Sequence, residues 1–167
     1  MLLTAEEWDV VSKKPVMLNS NKYILNYFLG EISKDRKKEI EKIATENNCD
    51  VINILDTNSP FYNCGPGEFL YLEKNAFLVC TDSFHSSVFS IIYDTPFVVF
   101  ERQDKFDSMN SRIDTLLSKF KLEYRKFNGN ISNDLLKCDY SEAKEILERE
   151  KEKSREYLCK ALDADIK

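Results

Sequence analysis

Glycine and proline are scarce in this chain of 167 residues, with four of each, and histidine and tryptophan occur once apiece. Such a composition excludes a flexible linker and argues against a small β-protein with many tight turns. No apolar run approaches the roughly 20 residues of a membrane span, so no membrane partner is expected. The first eight residues lack the basic start and apolar stretch of a secretory signal, and the expected location is cytoplasmic. Basic residues do not predominate: 24 stand against 29 acidic ones, a net charge of −5, and nothing gathers them into a stripe that would follow nucleic acid. The short run Lys34, Arg36, Lys37 and Lys38 is interleaved with Asp35, Glu39 and Glu41, the pattern of a solvated helix face. The five cysteines, Cys49, Cys64, Cys80, Cys138 and Cys159, form neither a CxxC pair nor a zinc spacing, so no metal is expected. Free buried thiols in a reducing compartment are the expectation, with Cys64, beside Gly65, the one exception. What is present is 43% hydrophobic and 12% aromatic content, enough for one core, and residues 1–167 read as a single domain.

Thr4 and Glu7 have the spacing of a capping box, which predicts a short helix over 5–12, ended by Pro15. Apolar segments at 22–29, 51–55, 77–81 and 97–100 have the length of buried strands. Helices are expected between and after them: one capped by Ser33 and stopped at Asn47 and Asn48, one from Pro66 to about 75, one over 83–93 and one over 110–120. Short apolar strands alternating with helices predict a three-layer α/β/α Rossmann-like domain with a mostly parallel sheet, its core at 22–128. A long charged helix over 139–164 follows, with Ala143, Ile146, Leu147, Tyr157, Leu158, Ala161 and Leu162 as its apolar positions. Such a helix packs at both ends and bridges solvent, or docks on something outside this chain.

In an open parallel sheet, ligands bind beyond the carboxyl ends of the strands. Three loops belong to that edge, at 56–66, 81–85 and 101–110. In the second, Asp82 or Ser83 is expected to cap the following helix, which puts His85 in its first turn. Free N–H groups and the helix dipole make that turn suited to an anion, and a histidine there has the chemistry to move a proton. The other reading keeps Asp82 and Ser83 as ordinary caps and packs His85 against Phe84 or Phe89. The third loop adds Arg102, Lys105 and Arg112, cations suited to phosphate or carboxylate. Alternatively, Arg112 lies on a helix surface and pairs with Asp114 or Glu101.

Four stretches resemble, in order and spacing, the polysaccharide pyruvyltransferase family and its carboxyl-terminal half. They are Tyr23-Ile24-Leu25-Asn26-Tyr27-Phe28-Leu29-Gly30, Gly65-Pro66-Gly67-Glu68-Phe69-Leu70, Thr81-Asp82-Ser83-Phe84-His85-Ser86-Ser87-Val88-Phe89-Ser90-Ile91, and Met109-Asn110-Ser111-Arg112-Ile113. The resemblance covers about 23–128 and implies a two-domain enzyme with its site between two Rossmann-like halves. The N-terminal half is then missing here, and Met1 is a truncated or artificial start at a domain boundary. Relatives use phosphoenolpyruvate to place a pyruvate ketal on a saccharide, releasing phosphate. The resemblance carries His85 over as the catalytic residue. Lys105 sits where some relatives carry a lysine and Arg112 matches the arginine of their Ser-Arg-Ile segment, and with Gly65, Ser83, Ser86 and Arg102 they make up the expected substrate-binding set. Two departures stand out: Ser83 occupies a position where several relatives carry arginine, and Ser86 one where glycine is frequent.

The expected function is thus the donor-binding half of a pyruvyltransferase-like enzyme of polysaccharide biosynthesis, with no cofactor beyond the donor substrate itself. The isolated fragment is expected to be inactive. Its expected partners are an anionic small-molecule donor, a saccharide acceptor, the missing half and a second copy of the chain. Two alternatives stay open: a sugar-nucleotide glycosyltransferase-like domain, and a non-catalytic α/β interaction module that uses its terminal helix.

Overall fold

The computed structural model describes residues 2–102, 107–137 and 139–162, and the side chains of all of these except 107–109. Four strands, β1 (Tyr23–Tyr27), β2 (Asp50–Asn53), β3 (Leu78–Thr81) and β4 (Phe97–Val99), alternate with helices. The helices are α1 (Ala5–Asp9), α2 (Lys34–Glu46), α3 (Pro66–Asn75), α4 (Phe84–Tyr93), α5 (Asp107–Phe120) and α6 (Ser141–Ala161), with 3-10 turns at Glu123–Arg125 and Asn133–Leu136. All strand pairs are parallel, in the order β2-β1-β3-β4. The chain therefore moves from β1 outward to β2, then returns past β1 to build β3 and β4. This makes the carboxyl ends of β1 and β3 the switch point, where an open α/β sheet leaves a crevice.

β3 and β4 are buried on both faces, as their apolar runs require, and β1 largely so, whereas the edge strand β2 buries only Ile52. On one face Tyr23, Leu25, Val79, Phe97 and Val99 pack with Leu72, Ile91, Leu117 and Leu147 from α3, α4, α5 and α6. On the other, Ile24, Leu78, Cys80, Val98 and Phe100 meet Ile40, Ile43 and Ala44 of α2, with Ile131 and Leu135 from the segment after α5. Three layers result, as expected, although one outer layer is completed by irregular chain rather than by a second helix.

The start of the chain is tied down by a close backbone approach. The Thr4–Glu7 capping box forms, but α1 ends at Asp9 rather than near residue 12. The chain beyond it lies against α3, where Lys13 N–H donates to Gly67 O at 2.9 Å. A Cβ on Gly67 would stand 2.4 Å from Val11 O, so only glycine admits this contact. The terminal helix buries only the first part of its apolar stripe. Ala143, Ile146, Leu147 and Lys151 are buried, but Tyr157 and Leu162 are each 72% exposed and Leu158 is exposed too. The first half of α6 packs on the domain, with Lys119 to Glu150 and Lys144 to Asp94 ion pairs at 2.5 Å along its length, and the second half does not. Cys49, Cys64, Cys80 and Cys159 are free, with Cys80 fully buried and the other three partly exposed. Burial raises the thiol pKa of Cys64, and nearby Glu68 adds to the shift, so this cysteine is no activated nucleophile.

Arg125 closes the domain from behind. Only 1% exposed, it has no carboxylate partner among the described residues. Its Nη1 donates to Leu135 O at 2.6 Å, its Nη2 donates to Lys137 O at 2.7 Å, and Tyr140, Tyr124 and Phe97 rings lie 4.9, 5.1 and 5.7 Å from the guanidinium carbon. A guanidinium is always charged, so carbonyl dipoles and aromatic faces carry the whole burden of solvating it. Arg125→Ala leaves the buried Leu135 carbonyl and the part-buried Lys137 carbonyl without this donor and is expected to cost about 2–5 kcal/mol. Urea denaturation checks this, and Arg125→Lys should recover only part of the loss because one ammonium cannot reproduce the fork.

Candidate functional site

The carboxyl ends of β1 and β3 are stitched together by two adjacent side chains. Thr81 Oγ1 donates to Tyr27 O at 2.7 Å and accepts from Ser83 N–H at 3.0 Å. Asp82 Oδ1 accepts from Leu29 N–H at 2.7 Å, and its Oδ2 accepts from Gly30 N–H at 2.8 Å and from Arg102 Nε at 3.1 Å. The side chains of Arg102 and Asp82 are 10% and 4% exposed. Three loops, those after β1, β3 and β4, thus meet at one carboxylate. A Cβ at Gly30 would stand 3.1 Å from Asp82 Oδ2 and 3.6 Å from the Arg102 stem, so the approach is tight.

The loop after β4 has further anchors. Asn110 brackets Arg102, accepting from its N–H at 3.2 Å and donating to its carbonyl at 3.3 Å. Arg36 Nη1 donates to Glu101 O at 2.6 Å. Arg102 Nη2 remains buried with no hydrogen-bond partner among the described residues, an uncommitted donor next to the crevice.

With Asp82 occupied in this way, neither predicted cap closes α4. Ser83 is the N-cap by backbone position, but its side chain makes no capping bond. Its carbonyl accepts from Ser87 N–H at 3.1 Å, the first helical bond, so the N–H groups of Phe84, His85 and Ser86 precede the helical ladder. His85 is exposed on this first turn. Its ring meets the Phe84 ring edge-on at 5.8 Å, and the Arg112 guanidinium lies over the same Phe84 ring at 4.7 Å. Arg112 pairs with neither Asp114 nor Glu101, because Lys126 takes both, at 2.9 and 2.6 Å. His85 and Arg112 are therefore brought together around one aromatic ring.

Other members of the expected set lie elsewhere. Ser86 turns inward, fully buried, and hydrogen-bonds the carboxyl of Glu73 on α3, which Ser90 also contacts at 3.3 Å. Gly65 is the N-cap of α3, its N–H donated to Glu68 Oε2 at 2.9 Å. Lys105 lies outside the described residues. Asp82 and Gly30 were missed as site-builders. The signal for Asp82 was its place directly after a strand, which also suits a cap. Among the described residues no cluster of three or more His, Cys, Asp or Glu is arranged to hold a metal, and no helix is long and apolar enough to cross a membrane.

These features define an α/β domain whose switch-point edge presents a histidine and arginines at a helix N-terminus. Residues 12–104 match the family model described as polysaccharide pyruvyl transferase, more than half of the chain, and the chain belongs to that family. No curated protein and no solved structure matches it.

Two expected outcomes follow from the buried carboxylates. Asp82→Ala strands the Arg102 charge and two loop N–H groups, a change expected to cost about 3–5 kcal/mol in urea denaturation. Asp82→Asn, which keeps the acceptor facing the loop, should cost less. Glu73 behaves differently: burial raises its pKa from 4.5 to about 8, only partly opposed by Ser86 and Ser90. The neutral acid fits the fold, so its contribution to stability is full below pH 4.5 and is lost as pH rises through about 8. Relative to the native chain, Glu73→Gln should gain stability with rising pH across that window, by at most about 1.4 kcal/mol per pH unit. Chemical denaturation at a series of pH values reads the slope, and a pH-independent difference would exclude the neutral carboxyl.

Proposed function

We propose that this chain is the donor-binding half of a pyruvyltransferase-like enzyme, which takes phosphoenolpyruvate and transfers its pyruvyl group to a saccharide of a polysaccharide under construction. The observation that carries the reading is the convergence of His85 and Arg112 on Phe84 at the open N-terminus of α4. Beside it, Asp82 and Arg102 hold the neighbouring loops.

The donor carries a phosphate and a carboxylate. The N–H groups of the first α4 turn suit one anionic group, and the Arg112 guanidinium, planar and bidentate, suits the other. In the reaction a saccharide hydroxyl attacks the enol carbon that bears the phosphate, and the neighbouring methylene carbon gains a proton and becomes a methyl group. A second hydroxyl of the acceptor then displaces phosphate to close the ketal. His85, exposed at the helix terminus, is the group placed to deliver the proton, and Arg112 and Lys105 stabilise charge as it moves onto the leaving phosphate. Arg102 has a more limited role than its sequence position suggests, since Nε is already committed to Asp82 and only the Nη groups remain for a ligand. Activation of the acceptor hydroxyl falls to a companion Rossmann-like half, so the chain by itself binds donor weakly and turns over little.

The test uses the fact that His85 is the sole histidine, so its ring signals are unambiguous by NMR. Millimolar phosphoenolpyruvate should move those signals and the amides of Phe84, His85 and Ser86, and Arg112→Ala should weaken the response about tenfold. The absence of any shift, with the companion half added, overturns the reading. A response to a sugar nucleotide in place of phosphoenolpyruvate would assign the glycosyltransferase-like alternative.

A further inference from the structure

On the β2 side of Asp82 a cavity of about 680 Å³ opens at the carboxyl edge of the sheet, within the size range of small-molecule sites. Its wall includes the amide pair Asn26 and Asn53, register partners on β1 and β2. Asn26 Nδ2 donates to Asn53 Oδ1 at 2.9 Å, which leaves Asn26 Oδ1 buried and without a hydrogen-bond partner among the described residues. A buried acceptor left in that state costs free energy that a ligand donor would recover.

The charged side chains around the cavity are equally uncommitted. Glu31, Lys37 and Glu41 line it and enter no ion pair among the described residues, although ion pairs are common elsewhere on the surface. Asp56, the fourth charged residue of the lining, uses one oxygen for the Asn58 turn at 2.9 Å and keeps the other. Three carboxylates against one ammonium repel phosphate and carboxylate ligands. They accept from hydroxyl groups, and Lys37 donates to a hydroxyl oxygen. Phe28 and Leu55 add apolar surface to the same wall, suited to the C–H face of a ring.

We propose that this cavity is a saccharide subsite that takes one neutral pyranose unit, its hydroxyls on Asn26 Oδ1 and the carboxylates and its ring face on the apolar wall. The assignment of that unit to the acceptor rests on the transferase reading above, whereas binding itself does not. Gly30 lines the cavity and also donates to Asp82, so the subsite adjoins the donor edge without sharing His85 or Arg112.

The experiment is a titration of the full chain with methyl β-D-glucopyranoside at up to tens of millimolar, followed by the Asn26 and Asn53 side-chain amides and the Gly30 N–H in nitrogen-proton NMR spectra. These signals should move while those of Phe84 and His85 stay. Glu41→Gln combined with Asn53→Ala, both at exposed positions and therefore tolerated by the fold, should weaken the response about tenfold. An unresponsive native chain, a response to methylammonium but not to the glycoside, or unchanged binding in the folded double variant each overturns the proposal. Phosphoenolpyruvate added to the same sample separates the two readings. A glycoside response without a His85 response retains the subsite and discards the donor assignment, and the converse discards the subsite alone.

Discussion

Asp82 stands where the winding of the sheet reverses, and the carboxyl edge is organised around its two oxygens. Taking a carboxylate out of water is costly unless hydrogen bonds and an opposite charge replace the lost hydration. Two loop N–H groups and one guanidinium N–H do so here. The same residue could have capped α4, satisfying one N–H at the helix start. Joining three loops makes more and stronger bonds, and the carboxylate turns that way. The fixed edge and the uncapped helix N-terminus are thus two results of one choice, since the group that would have filled the anion position is used to build its surroundings.

Two other buried ionisable groups show how differently this core treats charge. Arg125 cannot lose its proton, so the chain wraps it in carbonyl oxygens and three aromatic rings. Glu73 can take up a proton, and burial favours that form, while the hydroxyls of Ser86 and Ser90 on α4 donate to its two carboxyl oxygens. Both groups lie away from the open edge and fasten layers to one another. Glu73 locks α3 to α4, and Thr95 Oγ1 donates to its carbonyl at 3.0 Å. Arg125 joins the end of α5 to the chain leading into α6. The rigidity of the α4 terminus comes in part from this closed network beneath it, which is the supporting shell that a precise site requires.

The strands and helices were legible in the sequence because their signals are local: apolar runs, the Thr4 and Ser33 caps, Pro66 at a helix start. The order β2-β1-β3-β4 was not, since pairing depends on contacts between segments far apart in the chain. That order decides which loops share the switch point, so the role of Asp82 was hidden with it. Ser86 illustrates a second limit. Spacing put it in the first turn of α4 near His85, but position in a turn does not set direction, and one residue along the helix rotates the side chain from the open edge to the buried face. The apolar stripe of α6 leaves two readings open in the sequence, because Tyr157, Leu158 and Leu162 have the spacing of a buried face wherever that face is covered; the domain ends before it reaches them, so the stripe does not pack at both ends on this chain.

The edge is also divided by charge, which composition concealed. With a net charge of −5 the chain as a whole repels anions, yet around Phe84 the guanidinium of Arg112 and a helix N-terminus act together. Across Gly30, the lining of the cavity carries Glu31, Glu41 and Asp56 against Lys37 alone. The two sides of Asp82 therefore carry opposite local charge, positive beside Arg112 and negative at the cavity lining. Asp82 itself contributes little to either field, because Arg102 lies against it. It stands as a neutralised, rigid pair between the Arg112 side of the edge and the acidic lining of the cavity.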